Sequence, residues 1–302
     1  MNNSVMIIAG QELRATRANR LAILLLGIFM GMVLLSGFIG WATHHTVTQV
    51  YDEALREGTT TAPNFFANEQ PLELIRNTVI YVVLIGALLA ILIGVQSSLG
   101  DRKAGVIDLL FSRPVTSRQY VAGKLLGMQC LTGLILMAAG TISWGTIWLI
   151  RGQVLSLPDS LSLLEFFMLA WLFLLPFTVL GFIFGAVGQR ETSALLIPIL
   201  VWIFLTFMMP QLGTAEHPVA MLNPVPAQPA SQGPFFTFNR SVLQPFSITD
   251  RFKSLSAGLL HLGGADSSPV FDGLTLALIG ALSCLAAIIL VGRQTLRREL
   301  YE

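Results

Sequence analysis

Apolar residues along the chain gather into six runs long enough to cross a bilayer, at about residues 21–43, 78–99, 120–150, 162–187, 194–213 and 273–292. A hydrocarbon core about 30 Å thick needs roughly 20 apolar residues of helix. Each run supplies that length with charge only at or near its ends, as with Lys124 and Glu165, which are expected to snorkel to headgroups or water. The third run is overlong for a helix along the membrane normal, so tilt or a turn outside the bilayer must take up the excess. The pattern predicts an all-α polytopic membrane protein with six transmembrane helices. Pro176 and Pro198 predict kinks in the fourth and fifth spans. Glycines four apart, Gly27 with Gly31 and Gly181 with Gly185, predict close helix contacts, because lipid leaves van der Waals packing as a main driver of association.

The polar segments between the runs are unequal. Residues 1–20 read as an amphipathic interfacial helix, with Val5, Ile8 and Leu13 giving an apolar side and Arg14 and Arg17 suited to anionic headgroups. Because this segment precedes a run of about 23 residues with no small-x-small cleavage site, the first run is expected to stay as a span rather than leave as a signal peptide. Segment 44–77 predicts short helices at 47–57 and around 71–77. Segment 214–272 holds prolines at 218, 224, 226, 229, 234, 245 and 269, which exclude a long helix over its first half and predict an irregular cap. Within it, Phe252, Leu255 and Leu259 beside Arg251 and Lys253 predict one helix lying on the membrane surface over 248–262.

Composition agrees with this reading. Hydrophobic residues make up 54% of the 302 and charged residues only 12%. A balance of 18 basic to 17 acidic residues leaves no polycation for nucleic acid. The distribution of charge says more than its sum. Segments 1–20, 100–124, 188–193 and 293–302 carry 12 Lys and Arg in 61 positions, against 6 in the 104 positions of 44–77, 151–161 and 214–272. The positive-inside rule therefore puts the first set, with both termini, in the cytoplasm. The division expected is an interfacial helix at 1–20, spans one to five over 21–213, an extracytoplasmic cap at 214–272, and the sixth span with a cytoplasmic tail over 273–302.

Chemistry is sparse. The runs lack a carboxylate, His or Lys near the midplane, which gradient-driven transporters keep there at some cost. The phosphate-loop pattern G-x-x-x-x-G-K-[ST] is absent, and Gly123-Lys124-Leu125 lacks its hydroxyl residue. HExxH, GxSxG and paired carboxylates at depth are likewise missing, so the chain offers no catalytic residues. His44, His45 and His217 with Met208, Met209 and Met221 form at most a loose soft-metal set, read here as ordinary interfacial and loop residues. No metal ligand is assigned. Cys130 and Cys284 lie in apolar runs and read as small hydrophobes.

The loop after the second run carries the clearest functional signal. From Asp101 to Ser112 the pattern predicts a short helix, with Asp101 as its N-cap and Val106, Leu109 and Leu110 on one apolar face. Pro114 ends it, and Thr116 with Gln119 forms a capping box that starts the third span. Leu110 and Phe111 on such a helix either dock a partner or the membrane surface, or lie against the bundle.

The loop resembles that of the permease subunits of type-2 ABC exporters, where an acidic residue, a Gly, an acidic-Leu-Leu stretch, a Ser-x-Pro-Val-x-x-Arg string and a Gly-Lys follow the second span. Here these are Asp101, Gly105, Asp108-Leu109-Leu110, Ser112-Arg113-Pro114-Val115, Arg118 and Gly123-Lys124. Asp101 stands where Glu is commoner and Val106 where Thr is frequent. At the N-terminus, Glu12-Leu13-Arg14 with Arg17 and Arg20 is similar to the family's interfacial helix.

The resemblance implies a subunit without chemistry or cofactor of its own. Two permeases, copies or paralogues, would pair in a bacterial-type cytoplasmic membrane with two cytosolic ABC ATPase subunits that bind ATP and Mg. The docking set it implies is Glu12, Arg14, Asp101, Gly105, Val106, Asp108, Leu109, Leu110, Phe111, Pro114 and Lys124, with 101–112 as the coupling helix. The expected function is export of a hydrophobic or amphipathic substrate. The alternatives are transmission of ATPase motion to an extracytoplasmic partner on 214–272, as in the permeases found with nitrous-oxide-reductase maturation, and a non-transporting scaffold.

Overall fold

The computed structural model describes residues 3–16, 20–60, 70–103, 116–188, 190–214, 222–225, 231–262 and 269–301. Among them the regular structure is all helical, and six helices are long and apolar enough to cross a membrane: Arg20–Arg56, Pro71–Arg102, Ser117–Arg151, Leu157–Val187, Glu191–Gly213 and Val270–Gly292. They match the six apolar runs. Before them comes α1 (Asn3–Thr16), the expected N-terminal helix.

Several boundaries differ from expectation, and each difference has a local cause. The first span is one 37-residue helix, α2 (Arg20–Arg56), so the separate helix expected at 47–57 is its continuation. Hydropathy falls after Thr43, but no Gly or Pro follows until Gly58, and helical hydrogen bonding does not depend on polarity. Gly58 at φ 70° ends it, with the Thr59 N–H returning to the Ala54 carbonyl at 2.9 Å. The second span begins earlier than expected, as a 3-10 turn (Pro71–Ile75) that runs into α3 (Arg76–Tyr81), a π segment (Val82–Gly86) and α4 (Ala87–Lys103).

The third span is α5 (Ser117–Arg151). Its start carries the expected capping box, with Gln119 N–H on Thr116 Oγ1 at 3.4 Å and Thr116 N–H on Gln119 Oε1 at 3.1 Å. Left-handed Gly152 ends it. Next come α6 (Leu157–Val187), which continues through Pro176, and α7 (Glu191–Ile203), which continues through Pro198 into a π segment (Phe204–Met208) and α8 (Met209–Thr214).

The second and fourth spans form the centre of the bundle, with 67% and 61% of their apolar windows buried, whereas the first, fifth and sixth reach only 28%, 28% and 22%. The central pair is held at backbone distance by glycines. A Cβ at Gly94 would lie 2.0 Å from the Thr178 carbonyl oxygen, and one at Gly181 2.2 Å from that of Ile91. Gly185 meets Val95 in the same way, and Ser98 Oγ donates to the Phe182 carbonyl at 3.0 Å. The Gly181–Gly185 expectation therefore describes a real contact. At Gly27 and Gly31 a Cβ would meet nothing within 4 Å, so that pair makes no helix contact among the described residues. The fifth span is tied to the second where Trp202 Nε1 donates to the Val83 carbonyl at 3.2 Å, in the π segment.

On the side opposite α1, the 214–272 segment contains α9 (Pro234–Leu243) and α10 (Ile248–Leu259). The expected surface helix is in fact inserted. Phe252 is fully buried, its ring stacked on Phe173 at 4.3 Å between centroids and tilted against Phe166 at 6.2 Å. Arg251, which suggested an interfacial helix, pairs instead with Asp272 at the start of α11 (Pro269–Tyr301), and both are buried. Burying a charge is tolerable only with such a partner.

Candidate functional site

Where α1 meets the third span, the sequence makes room for a backbone. Gly123 and Gly127 lie one turn apart on α5, and a Cβ at the first would sit 2.9 Å from Ile8 Cβ, at the second 2.8 Å from Glu12 Cβ. The four-residue glycine spacing thus recurs at a third place, where it admits α1 rather than another span.

The close approach brings Glu12 onto Lys124. Lys124 Nζ lies 2.6 Å from Glu12 Oε2, 2.8 Å from Asp101 Oδ2 and 3.3 Å from the Ser97 carbonyl oxygen. Tyr120, one turn before Lys124, donates its hydroxyl to Asp101 Oδ2 at 2.6 Å. The three charged side chains are only 3–13% exposed. Two carboxylates share one ammonium here, and the phenol O–H gives Asp101 a further donor.

The neighbouring Arg102 points the other way. Its Nη1 donates to the Gly185 carbonyl at 3.2 Å and also to that of Gly188, capping the C-terminal end of α6 with positive charge. Asp101 and Arg102 therefore fasten the last turn of α4 to α1 and α5 on one side and to α6 on the other. Both stems of the 104–115 loop, Asp101–Lys103 and Thr116–Tyr120, are cross-tied at its mouth.

Of the residues expected in the docking set, Glu12, Asp101 and Lys124 come together in this cluster, where they face one another. Two expectations change as a result. Asp101 belongs to the last turn of α4 and binds Lys124 and Tyr120, so it is not the N-cap of a separate helix. Lys124 reaches inward to its two carboxylates and does not snorkel. Gly105, Val106, Asp108, Leu109, Leu110, Phe111 and Pro114 lie outside the described residues, as does the side chain of Arg14 on α1. Sequence reasoning passed over Tyr120 and Arg102. The first was signalled by its i, i+4 relation to Lys124, while the second had no local signal, since its partners lie more than 80 residues away.

His44 and His45 are residues of α2, and His217 lies outside the described residues. His45 stacks on Trp41 at 5.5 Å and shares a hydrogen bond with Gln49, and His44 offers its carbonyl to Thr48. Among the described residues no three His, Cys, Asp or Glu side chains are grouped to hold a metal ion.

A comparison with curated proteins finds no match. A comparison with protein families does: the family described as ABC-2 family transporter protein matches residues 6–300, from α1 through the sixth span, with the loop and its cross-tied stems inside the matched region. The six spans and this match over nearly the full length make the chain an integral membrane protein and a member of that family, the membrane permease component of an ABC transporter.

Proposed function

We propose that the chain exports a hydrophobic or amphipathic substrate as one of two paired permeases, driven by a cytosolic ATPase that docks on a coupling helix in the loop between α4 and α5. The observation that carries this reading is the buried Glu12–Lys124–Asp101 cluster. It joins the interfacial helix and both stems of the loop into one unit.

A push on the loop needs a stiff path into the bundle. Side chains on the loop, with Leu110 and Phe111 foremost, meet the ATPase. Glu12, Asp101, Tyr120 and Lys124 act as positioning residues that make α1, α4 and α5 move together. Separating them would strand buried charge at a cost of about 3–5 kcal/mol, so the stems do not slide past one another when the loop is displaced. From α4 the displacement passes to α6 through the glycine contact at Gly94 and Gly181, where backbones touch without flexible side chains between them. The first and fifth spans leave most of their surface unburied in one chain, which offers that surface to the second permease as the pair opens to either side.

The test is co-purification of the chain with its ATPase in detergent. Leu110→Glu puts a charge on the docking face and is expected to abolish retention of the ATPase while leaving membrane insertion intact. Retention at wild-type strength would overturn the coupling-helix assignment.

A further inference from the structure

The second and fifth spans each carry a π segment, and one side chain joins the two. In the second span the Ala87 N–H, which an α-helix would return to Val83, bonds the carbonyls of Val82 and Leu84 instead. The Val83 carbonyl is thereby left to Trp202 Nε1, which donates to it at 3.2 Å from an indole only 7% exposed. Trp202 itself lies two residues before the π segment of the fifth span. There the Met209 N–H passes over Leu205 and returns to Phe204, five residues back. Pro210 favours that wider turn, because it has no N–H to return to Thr206 and its ring would press on the Thr206 carbonyl.

The fifth-span turn leaves one group unsatisfied. Thr48, Thr132, Thr146, Thr178 and Thr275 each donate their hydroxyl to the carbonyl four residues back. Thr206 is 1% exposed, and among the described residues its hydroxyl has no partner. That is costly where water does not reach. An α turn over 202–206 would give Thr206 the Trp202 carbonyl, at the expense of a kink at Pro210, and α6 and α7 already continue as α-helix through Pro176 and Pro198. The two forms of this stretch therefore oppose one another: the π form keeps the indole on Val83, and the α form satisfies Thr206.

Changing form turns the two halves of the span relative to each other. The outer half, α8, is held to α9 where Arg240 Nε donates to the Gly213 carbonyl at 3.3 Å. The inner half, α7, belongs to a span whose apolar window is only 28% buried, so α7 is the half that turns. We propose that Trp202 is the latch of this π-to-α switch: its bond to Val83 holds the π form, and its release lets α7 turn away from the second span. The Ala87 N–H then stands ready to take back the Val83 carbonyl, so that opening the latch strands no backbone group. Trp202 is a positioning residue for the movement of a permease, and the inference rests on neither the substrate nor the direction of transport.

The test measures spin-label distances in the full chain in nanodiscs, with Cys130→Ala and Cys284→Ala, and with labelled chain diluted in unlabelled chain so that each pair lies within one molecule. One pair joins exposed Leu196 on α7 to exposed Met168 on α6, and a control pair joins Leu134 on α5 to Leu161 on α6. Trp202→Phe keeps an aromatic ring and removes the donor. It should raise the share of a second Leu196–Met168 distance by about two- to tenfold, the range expected for one neutral hydrogen bond. Adding Thr206→Val, which removes the hydroxyl that only the α form satisfies, should lower that share again by a similar factor. The control pair should stay unchanged throughout. A Leu196–Met168 distribution indifferent to Trp202→Phe would overturn the latch. So would a second distance that Thr206→Val fails to reduce, since the indole would then be unconnected to the π turn. Equal broadening of the control pair would reduce Trp202 to a packing residue whose loss loosens the whole bundle.

Discussion

Lys124 Nζ stands 2.6 Å from Glu12 Oε2 across 112 residues of sequence, in a place where neither charge reaches water. The pair exists because Gly123 and Gly127 let α1 lie against α5, and because Asp101 and Tyr120 complete the cation's surroundings. Lys124→Met keeps most of the side-chain volume but takes the cation away from two buried carboxylates. The expected outcome is a loss of about 3–5 kcal/mol of stability. Thermal unfolding in detergent would register it as a large fall in midpoint, and the triple replacement Glu12→Gln, Asp101→Asn, Lys124→Met should recover most of that loss. A single variant as stable as wild type would show that the cluster does not hold the fold together.

Tyr120→Phe separates holding from folding. It deletes only the hydroxyl that donates to Asp101 at 2.6 Å and leaves the ring and the Lys124 pair in place. A hydrogen bond to a charged group contributes about 1.5–3 kcal/mol. The variant should insert and keep its ATPase, but lose several-fold in the dependence of ATP hydrolysis on the permease. Unchanged stimulation of hydrolysis would mean that the tie between the loop's stems carries no motion.

The glycine pairs offer a contrast of sign. Gly94→Ala and Gly181→Ala place a methyl group about 2 Å from a facing carbonyl oxygen, so α4 and α6 must separate. Overpacking of that kind costs about 1–3 kcal/mol or more. Gly27→Ala and Gly31→Ala meet nothing within 4 Å and should be neutral, or stabilising by up to about 1 kcal/mol, through helix propensity. Unfolding midpoints of the four variants in detergent check both directions. Destabilisation at Gly27 or Gly31 would show that a neighbour beyond the described residues packs there.

These cases also show what a single sequence makes legible. The six spans were readable because a bilayer demands long apolar runs and a helix satisfies its own backbone. Helix ends were harder. Arg56 ends the first span thirteen residues past the apolar run because hydropathy marks where lipid stops, while only a breaker such as Gly58 marks where the helix stops. Four-residue glycine spacing was read at 27 and 31 and at 181 and 185 and passed over at 123 and 127, and nothing local distinguishes a span contact from a contact with α1 or from an open face. Glu12 and Lys124 were each singled out, but their mutual pairing is a long-range fact. Arg251 misled for the same reason: a basic residue on an amphipathic pattern suggests an interface until a carboxylate 21 residues on is found beside it.

The insertion of α10 rests on two separable devices, which a pair of variants can divide. Phe252 fills a fully buried space against Phe173 and Phe166, and Phe252→Ala should cost about 3–5 kcal/mol for the lost burial and the cavity. Arg251→Leu leaves Asp272 buried without that cation, at a similar cost, whereas Arg251→Leu with Asp272→Leu removes both charges and should return most of the stability. Hydrogen exchange tells undocking from unfolding. If α10 is a local unit, either single variant speeds exchange of the amides in Ile248–Leu259 while those of α4 and α6, at the bundle's centre, keep their protection. Equal acceleration everywhere would make α10 part of the global core, held there by the stacked rings that join it to the fourth span.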